Sequence, residues 1–375
     1  MTAVAAVAAV LTLVVAFGLL GRAPRSRWES VTEICLALLP LMVLSGAAGM
    51  SAGFNLAALG VLAVTIILAG LAAILPGTSI DTHLARRAPA STALGWFASM
   101  VVLLGLGGMV LAWFANMIAS FTTLNSYVVA LILTITGIVA GFGGRGRAGQ
   151  ARLGLIVFVV GAVLLALGGF FAGSTTGLTD PSITLASPTI FAFVIFPIAM
   201  IVASADNPAL RNAAATNRKS YIIAVVVMAA CTFVALFGLL MLTGGGFQVP
   251  SVQLETFVAY VPGWVGGLLA GVFALVGGAS ASLTVNLALD ASRDLGEQIP
   301  VPLNSGVGRS VATALLGAVV FVVAALGPSP IWAIPTIACF AVAGLVAERV
   351  ARKQRPDRAA DDVDTPRLDP AAVGQ

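Results

Sequence analysis

Hydroxyl and amide side chains cluster in one apolar stretch of this sequence, between Gly277 and Asn286. Ser280, Ser282 and Thr284 lie there among glycines and alanines. Oxygen donors of this kind suit a hard cation such as sodium, or a small neutral or zwitterionic solute. The same stretch also fits a second interpretation, in which small residues permit close helix packing and the hydroxyls bond across helices. The residues alone leave both interpretations open.

Acidic residues add a second possible chemistry at the end of the same stretch. Asn286, Asp290 and Asp294 follow one another at intervals of four, so a helix would present them on one face. This spacing superficially matches the first Asp-rich motif of membrane prenyltransferases, in which carboxylates hold Mg²⁺ against a diphosphate. No second Asp-rich motif follows and basic partners are sparse. We therefore predict that the protein is not an enzyme and keep the prenyltransferase as a minor alternative.

Other ionisable and metal-ligating residues are few. Glu33 and Glu348, like the two aspartates above, lie near predicted ends of apolar segments, so we expect no acid–base pair buried in the membrane. The three cysteines lie singly within apolar segments, without the spacing of a metal or redox site. No metal site and no cofactor are predicted, apart from a coupling ion considered below.

Composition assigns these residues to a membrane protein. Hydrophobic residues make up 59% of the 375 residues and charged residues only 9%, with a mean hydropathy of +1.06. A soluble domain carries about 25% charged residues. The basic residues behind the net charge of +4 lie in the loops between apolar segments, where they set the orientation in the membrane. Nucleic-acid binding is therefore not expected. A lipid bilayer and a small-molecule solute are the expected partners, and no protein partner is predicted.

Basic residues divide the chain into eleven apolar segments. Alternate gaps hold the Lys and Arg residues, and the gaps between them hold only Asp180 and Glu255 as charges. Basic residues concentrate in cytoplasmic loops. This pattern predicts a multi-pass protein of a bacterial inner membrane, with the N-terminus outside and the C-terminus in the cytoplasm. The segments are 3–21, 31–49, 55–75, 93–115, 126–142, 153–172, 188–204, 220–243, 257–288, 308–326 and 331–350.

These eleven segments divide as one plus five plus five. We predict an extra helix with its loop over 1–29, a ten-helix core over 30–350 with repeats at about 30–173 and 187–350, and a disordered cytoplasmic tail over 351–375. Because five is odd, the two repeats must enter the membrane from opposite sides. This inverted design is typical of secondary transporters, in which broken helices at matching positions hold the solute at mid-membrane.

Helix-breaking residues occur in the segment that opens each repeat. The second segment holds Pro40 and then Ser45 to Gly49, and the seventh holds Pro188 and Pro197 around three phenylalanines. Proline and glycine are common in membrane helices in general, so this match is suggestive only. The candidate solute-binding residues are Ser45, Gly46, Phe191, Phe193, Phe196 and Asn286.

Four short stretches are similar to the sodium/solute symporter family, in matching order. Gly271 to Leu295 resembles its eighth core helix, in which a small-residue and hydroxyl patch leads into Arg-Asp-Leu. Ser45-Gly46 resembles its first core helix, and Ala140 to Gly144 its Gly-Gly connection between core helices four and five. The stretch from Phe196 to Asn212 resembles the loop after core helix six. The resemblance spans residues 1 to about 350.

The resemblance implies an all-α polytopic membrane protein with a LeuT-type fold, and cation-coupled symport of a small neutral or zwitterionic organic solute such as an amino acid. It implies Na⁺ as the coupling ion. The candidate ion-binding residues are Leu41, Leu44, Ser280, Ser282 and Thr284. Aligned on Arg293-Asp294-Leu295, however, the paired sodium-binding hydroxyls of the family fall on Gly278 and Ala279. A membrane partner or assembly subunit without transport activity is the main alternative.

Overall fold

The computed structural model describes residues 34–45, 56–74, 89–122, 124–143, 194–242, 263–296, 306–328 and 330–353, together with residues 163, 167 and 170. Helices account for nearly all of these residues, and no strand occurs among them. The helices are α1 (Ile34–Ser45), α2 (Leu56–Ala72), α3 (Pro89–Thr122), α4 (Ser126–Gly143), α5 (Phe196–Ala205), α6 (Pro208–Thr216), α7 (Arg218–Leu242), α8 (Gly263–Gly296), α9 (Gly306–Leu326) and α10 (Pro330–Lys353).

Each apolar segment predicted within these ranges contains a helix. Within the described ranges, four helices are long and apolar enough to cross a membrane, in α3, α7, α8 and α9. Shorter apolar helices occupy the other predicted positions that the structure describes. The first segment, most of the sixth, and the tail from residue 354 lie outside the described residues, as do Gly46, Phe191 and Phe193, whereas residues 351–353 of the predicted tail continue α10. The described part is a helical protein with several membrane-crossing segments.

The two longest helices, α3 and α8, pack against each other at the centre of the fold. Each has 34 residues, and each also contacts α4 and α9. Aromatic rings fill part of the space between them: the Phe273 ring lies 5.9 Å from Trp113 and 6.0 Å from Phe114, measured between centroids. Most of α3 is buried, whereas most of α9 is exposed. The pair α3–α8 is therefore the interior around which the outer helices are arranged.

Glycines set how closely these helices approach. A Cβ atom at Gly137 of α4 would lie 2.6 Å from the carbonyl oxygen of Gly278 in α8. A Cβ at Gly107 of α3 would lie 2.5 Å from both Oγ1 and Cγ2 of Thr284. Small residues at such crossings allow backbones into van der Waals contact, which drives helix association in a bilayer. The small-residue interpretation of the Gly277 stretch therefore holds for the side that faces α4.

A second group of helices packs beside this pair. Helix α2 contacts α5 and α7, and α10 contacts α3 and α5. The Tyr221 hydroxyl in α7 donates a hydrogen bond to the carbonyl oxygen of Gly70 in α2, at 2.9 Å, and both residues are buried. Helix α1 is buried along nearly all of its described length. A helix that is apolar all round and enclosed by protein belongs to the interior.

The outward faces of the peripheral helices are apolar. In α9 one face exposes large aliphatic side chains, and α7 and α4 do the same. Such continuous apolar surface is not stable in water, and a lipid bilayer is the environment that suits it. The exposed residues of α9 are Val311, Leu315, Val319, Val322 and Leu326.

Two features differ from the sequence prediction. The stretch between the seventh and eighth segments, expected as a loop, contains helix α6. Only Val194 to Pro197 of the predicted break around Phe191–Pro197 are described: Val194 and Ile195 form a π-helical turn, and Pro197 lies in the first turn of α5. Proline is tolerated there because the N–H groups of a first turn have no partner within the helix. The helix breaks instead at Asp206 and Asn207.

We expect Gly137→Ala to destabilise the folded protein by about 1–3 kcal/mol, because the added methyl meets backbone that cannot move aside as a side chain does. The thermal unfolding midpoint of the detergent-solubilised protein measures this. Gly60→Ala is the matched control, since a Cβ there meets nothing within 4 Å. Equal midpoints for the two variants would contradict the close crossing of α4 and α8.

Candidate functional site

A small cleft lies where α1, α3 and α8 meet the start of α6. Its free volume of about 10 Å³ corresponds to about one water molecule. Most of the lining residues are apolar, and the polar side chains among them are Asn207 at the start of α6 and Ser280 and Thr284 of α8. The lining residues are Leu36, Ala37, Pro40, Leu103, Leu106, Gly107, Asn207, Ala209, Ser280, Leu283 and Thr284.

On the α1 side, Pro40 frees a backbone oxygen. Proline has no N–H group, so within a helix the carbonyl of the residue four positions earlier loses its hydrogen-bond donor. That residue is Leu36, and both Leu36 and Pro40 line the cleft. The Leu36 carbonyl is therefore a candidate ligand for a cation.

On the α8 side, Ser280 and Thr284 face the cleft. Both side chains are buried, and the Thr284 hydroxyl donates to the carbonyl oxygen of Ser280 at 2.9 Å. A hydroxyl that donates in this way keeps its lone pairs for another partner. Gly107 is the position at which α3 approaches Thr284 most closely. The arrangement can therefore offer hydroxyl oxygens to a bound cation or water.

The structure places two other candidates of α8 elsewhere. The Asn286 amide donates to both the carbonyl and the hydroxyl oxygen of Ser282, at 2.8 and 3.3 Å. Ser282 is two residues from Ser280, a rotation of about 200° on an α-helix, so the two lie on different faces. Gly278, where the family alignment places a sodium-binding hydroxyl, packs against Thr136 and Gly137 of α4. Neither Ser282 nor Asn286 lines the cleft.

Leu41 and Leu44 are also not brought to this cleft. Both are buried in the core at 1% exposure, and the part of α1 that lines the cleft is one turn earlier. The ion-binding roles of Leu41 and Leu44 stay predictions, which the lining of this cleft does not support. The signal that identifies the turn lining the cleft is Pro40, because the carbonyl that it frees precedes it by four residues.

Two buried hydroxyls lack a hydrogen-bond partner among the described residues. They are Ser45 at the end of α1 and Ser204 in α5, each with no exposed surface. A buried polar atom without a partner costs about 1–3 kcal/mol, so natural proteins keep such atoms for a reason such as a bound ligand. Phe196, another predicted solute-binding residue, is fully buried in α5. The binding roles of Ser45 and Phe196 stay predictions.

An ion pair with little exposure lies at the junction of α5 and α6, just beyond the end of the seventh predicted segment at residue 204. Asp206 Oδ1 is 3.4 Å from Arg211 Nη2, and their side chains are 4% and 16% exposed. The Ser99 hydroxyl in α3 donates to Asp206 Oδ2 at 3.3 Å. Sequence reasoning missed Asp206 because it was assigned to a loop.

Asn207 and Pro208 begin α6. The Asn207 Oδ1 atom accepts the backbone N–H of Ala209 at 2.9 Å, which is an N-cap, and Pro208 occupies the first turn. The Arg211 Nε atom donates to the carbonyl of Ala205 at 2.7 Å, which ties α6 back to the end of α5. An Asn-Pro pair is a common helix start, so the sequence held a signal for α6.

Comparison with known proteins finds likeness at the level of structure. No family model and no curated protein matches the sequence. The fold is similar to a solved structure of a Na⁺-coupled sialic acid symporter in a substrate-bound, outward-open state. The sequences are 14% identical, the TM-score is 0.49, and the match covers 94% of this chain and 82% of the other. A likeness at this level assigns no role to any residue of this chain.

We expect Ser45→Ala to leave the free energy of unfolding unchanged or to raise it by up to about 1 kcal/mol, because the change removes a buried hydroxyl that has no hydrogen bond to the described residues. Tyr221→Phe, which removes the bond to Gly70, should cost about 1 kcal/mol. Thermal unfolding of both purified variants tests this. Equal destabilisation by the two changes would mean that the Ser45 hydroxyl is bonded within the protein and is not available to a solute.

Proposed function

We propose that this protein is a secondary active transporter with a LeuT-type inverted repeat, which couples a cation to the symport of a small neutral or zwitterionic organic solute such as an amino acid. The observation that carries the proposal is the symmetry of its helix packing. The cleft between α1 and α8 and the unpartnered hydroxyls of α1 and α5 support it further.

The packing symmetry appears when each helix of the first repeat is exchanged with the helix five segments later. This exchange pairs α2 with α7, α3 with α8, and α4 with α9. The contact of α4 with α8 becomes that of α9 with α3, and the contact of α3 with α4 becomes that of α8 with α9; both members of each exchange are present. The contacts α3–α8, α4–α9 and α2–α7 map onto themselves and are also present.

These contacts are unchanged when the helices of the two repeats are interchanged, which favours a core built from two copies of one five-helix unit. Since five is odd, consecutive copies have opposite orientations in the membrane, and the axis relating them lies in the membrane plane. The 34-residue length shared by α3 and α8 agrees with their equivalence. Transporters of this design open alternately to the two sides by rocking one group of helices against another.

The helices that open the two repeats are α1 and α5. Each carries one buried hydroxyl without a hydrogen-bond partner among the described residues, Ser45 in α1 and Ser204 in α5. Natural proteins keep buried polar atoms of this kind for a reason such as a bound ligand. We therefore place the solute near the ends of these two helices, with Ser45 and Phe196 as contacts, and extend this to Gly46, Phe191 and Phe193, which lie outside the described residues.

For the coupling ion we propose the cleft, with the Leu36 carbonyl and the hydroxyls of Ser280 and Thr284 as ligands and Na⁺ as the ion. The space admits a single small ion or water. Oxygen ligands without a negative charge bind a monovalent cation weakly, and weak binding suits an ion that must be released in every cycle. The structure gives no support for Leu41, Leu44 or Ser282 as ligands, because none of them lines the cleft.

Uptake into proteoliposomes tests the transport function directly. A panel of amino acids and small neutral solutes is offered with an inward Na⁺ gradient, with an equal K⁺ gradient, and with no gradient. We expect at least one solute to accumulate above its equilibrium level only with the Na⁺ gradient. Absence of flux for every solute and gradient would favour the alternative of a membrane partner or assembly subunit.

Ser280→Ala tests the ion site. Loss of one ligand should raise the Na⁺ concentration for half-maximal uptake about tenfold, which corresponds to about 1.4 kcal/mol of ion binding. Thr232→Val is the matched control, because the Thr232 hydroxyl is also buried but bonds only its own helix at Met228. An unchanged Na⁺ dependence in an active Ser280→Ala variant would remove Ser280 from the site.

A further inference from the structure

The cleft is closed on one side by the start of α6. Asn207 and Ala209 form that wall, and Asn207 is only 2% exposed. Both residues follow directly after Asp206, so the position of the wall depends on what holds Asp206 in place. The opposite parts of the lining come from the long helices α3 and α8 and from α1.

Asp206 is held by groups from different helices. Its two carboxylate oxygens contact the Ser99 hydroxyl of α3 and the Arg211 guanidinium of α6. Helix α10 packs against it as well, since a Cβ at Gly344 would lie 2.9 Å from Asp206 Oδ2. Charge-assisted hydrogen bonds of this kind are stronger than neutral ones. Asp206 thus joins the α5–α6 junction to α3 and α10.

The contact between Asp206 and Ser99 crosses the boundary between two helix groups. Helices α5 and α2 pack together on one side, and α3 with α8 on the other. If α5 moves relative to α3, this contact must break, and the wall formed by Asn207 and Ala209 moves with it. The ion pair with Arg211 lies within the moving group, because Arg211 Nε also bonds the last turn of α5.

We propose that Ser99, Asp206 and Arg211 form a latch that seals the ion cleft toward the side of the membrane that α6 faces. This is the end of the bundle that carries Arg211, Arg218 and Lys219, which the distribution of basic residues assigns to the cytoplasm. Release of the latch swings α6 away and opens the cleft to that side alone. The proposal rests on the proposed transport function, because it makes the latch the inner gate of the transport cycle.

The test measures access to the cleft by chemical labelling. Ala37 of α1 lines the cleft and is 3% exposed, so Ala37→Cys gives a reporter that is shielded while the latch holds. The three native cysteines are replaced by alanine in this background. A membrane-impermeant maleimide is applied to inside-out and to right-side-out vesicles, and the rate of modification is followed without any solute.

We expect Ser99→Ala and Asp206→Asn each to raise the labelling rate at least fivefold in inside-out vesicles and to leave it within twofold in right-side-out vesicles. Ser99→Ala deletes one hydroxyl and retains the ion pair, so it tests the latch even where Asp206→Asn fails to fold. Thr232→Val is the control and should label at the parent rate. Unchanged rates in Ser99→Ala, or equal increases from both sides, would overturn the proposal.

A double-mutant comparison tests whether the latch acts as a unit. Asp206→Asn/Arg211→Gln should label no faster than about twice the Asp206→Asn rate, because residues of one network do not contribute independently. A fold-increase in labelling rate equal to the product of the increases in the two single variants would contradict the proposal that these residues act as one unit. The labelling assay does not require transport. If the variants label as expected but the protein transports no solute, the proposed transport function is refuted and the proposed latch is not.

Discussion

Close contact between helix backbones is the constraint on which the rest of this structure depends. In a bilayer the lipid is as apolar as the side chains, so burial of leucine against leucine does not hold two helices together. The glycines at positions 107 and 137 let α8 approach α3 and α4 to backbone distance. Every polar feature of the site is placed by that approach, since Thr284 occupies the space that a side chain at Gly107 would fill.

The residues around the cleft offer a ligand only a few neutral oxygen atoms, which is compatible with a carrier. Hydroxyls of α8 bond their own helix and keep lone pairs toward the cleft, and Pro40 leaves a backbone oxygen free on α1. Asp206 and Arg211 form an ion pair at the junction of α5 and α6, where Asp206 also accepts a hydrogen bond from Ser99 of α3. Neutral oxygens inside and a charged contact at the rim suit an ion that must bind briefly and leave.

Hydropathy and charge placement predicted the helices well, because both depend only on the order of residues along the chain. A run of about 20 apolar residues between basic loops must cross the bilayer or lie buried, whatever its neighbours are. The described helices accordingly overlap the predicted segments. The Asn207-Pro208 pair is a common helix start. Helix α6 is short and polar, so it has no hydropathy peak, and the hydropathy pattern did not predict it.

The sequence by itself determined the membrane class, the order of the helices and the stretch of α8 in which hydroxyls concentrate. Only the tertiary structure decided which of those hydroxyls face the cleft: Ser280 and Thr284 do, whereas Ser282 bonds Asn286 on another side. It also decided that Asp206 is buried. Successive residues of a helix are separated by about 100° around its axis, and only packing against neighbouring helices fixes how the helix is rotated about that axis. That rotation decides which side chains face the cleft.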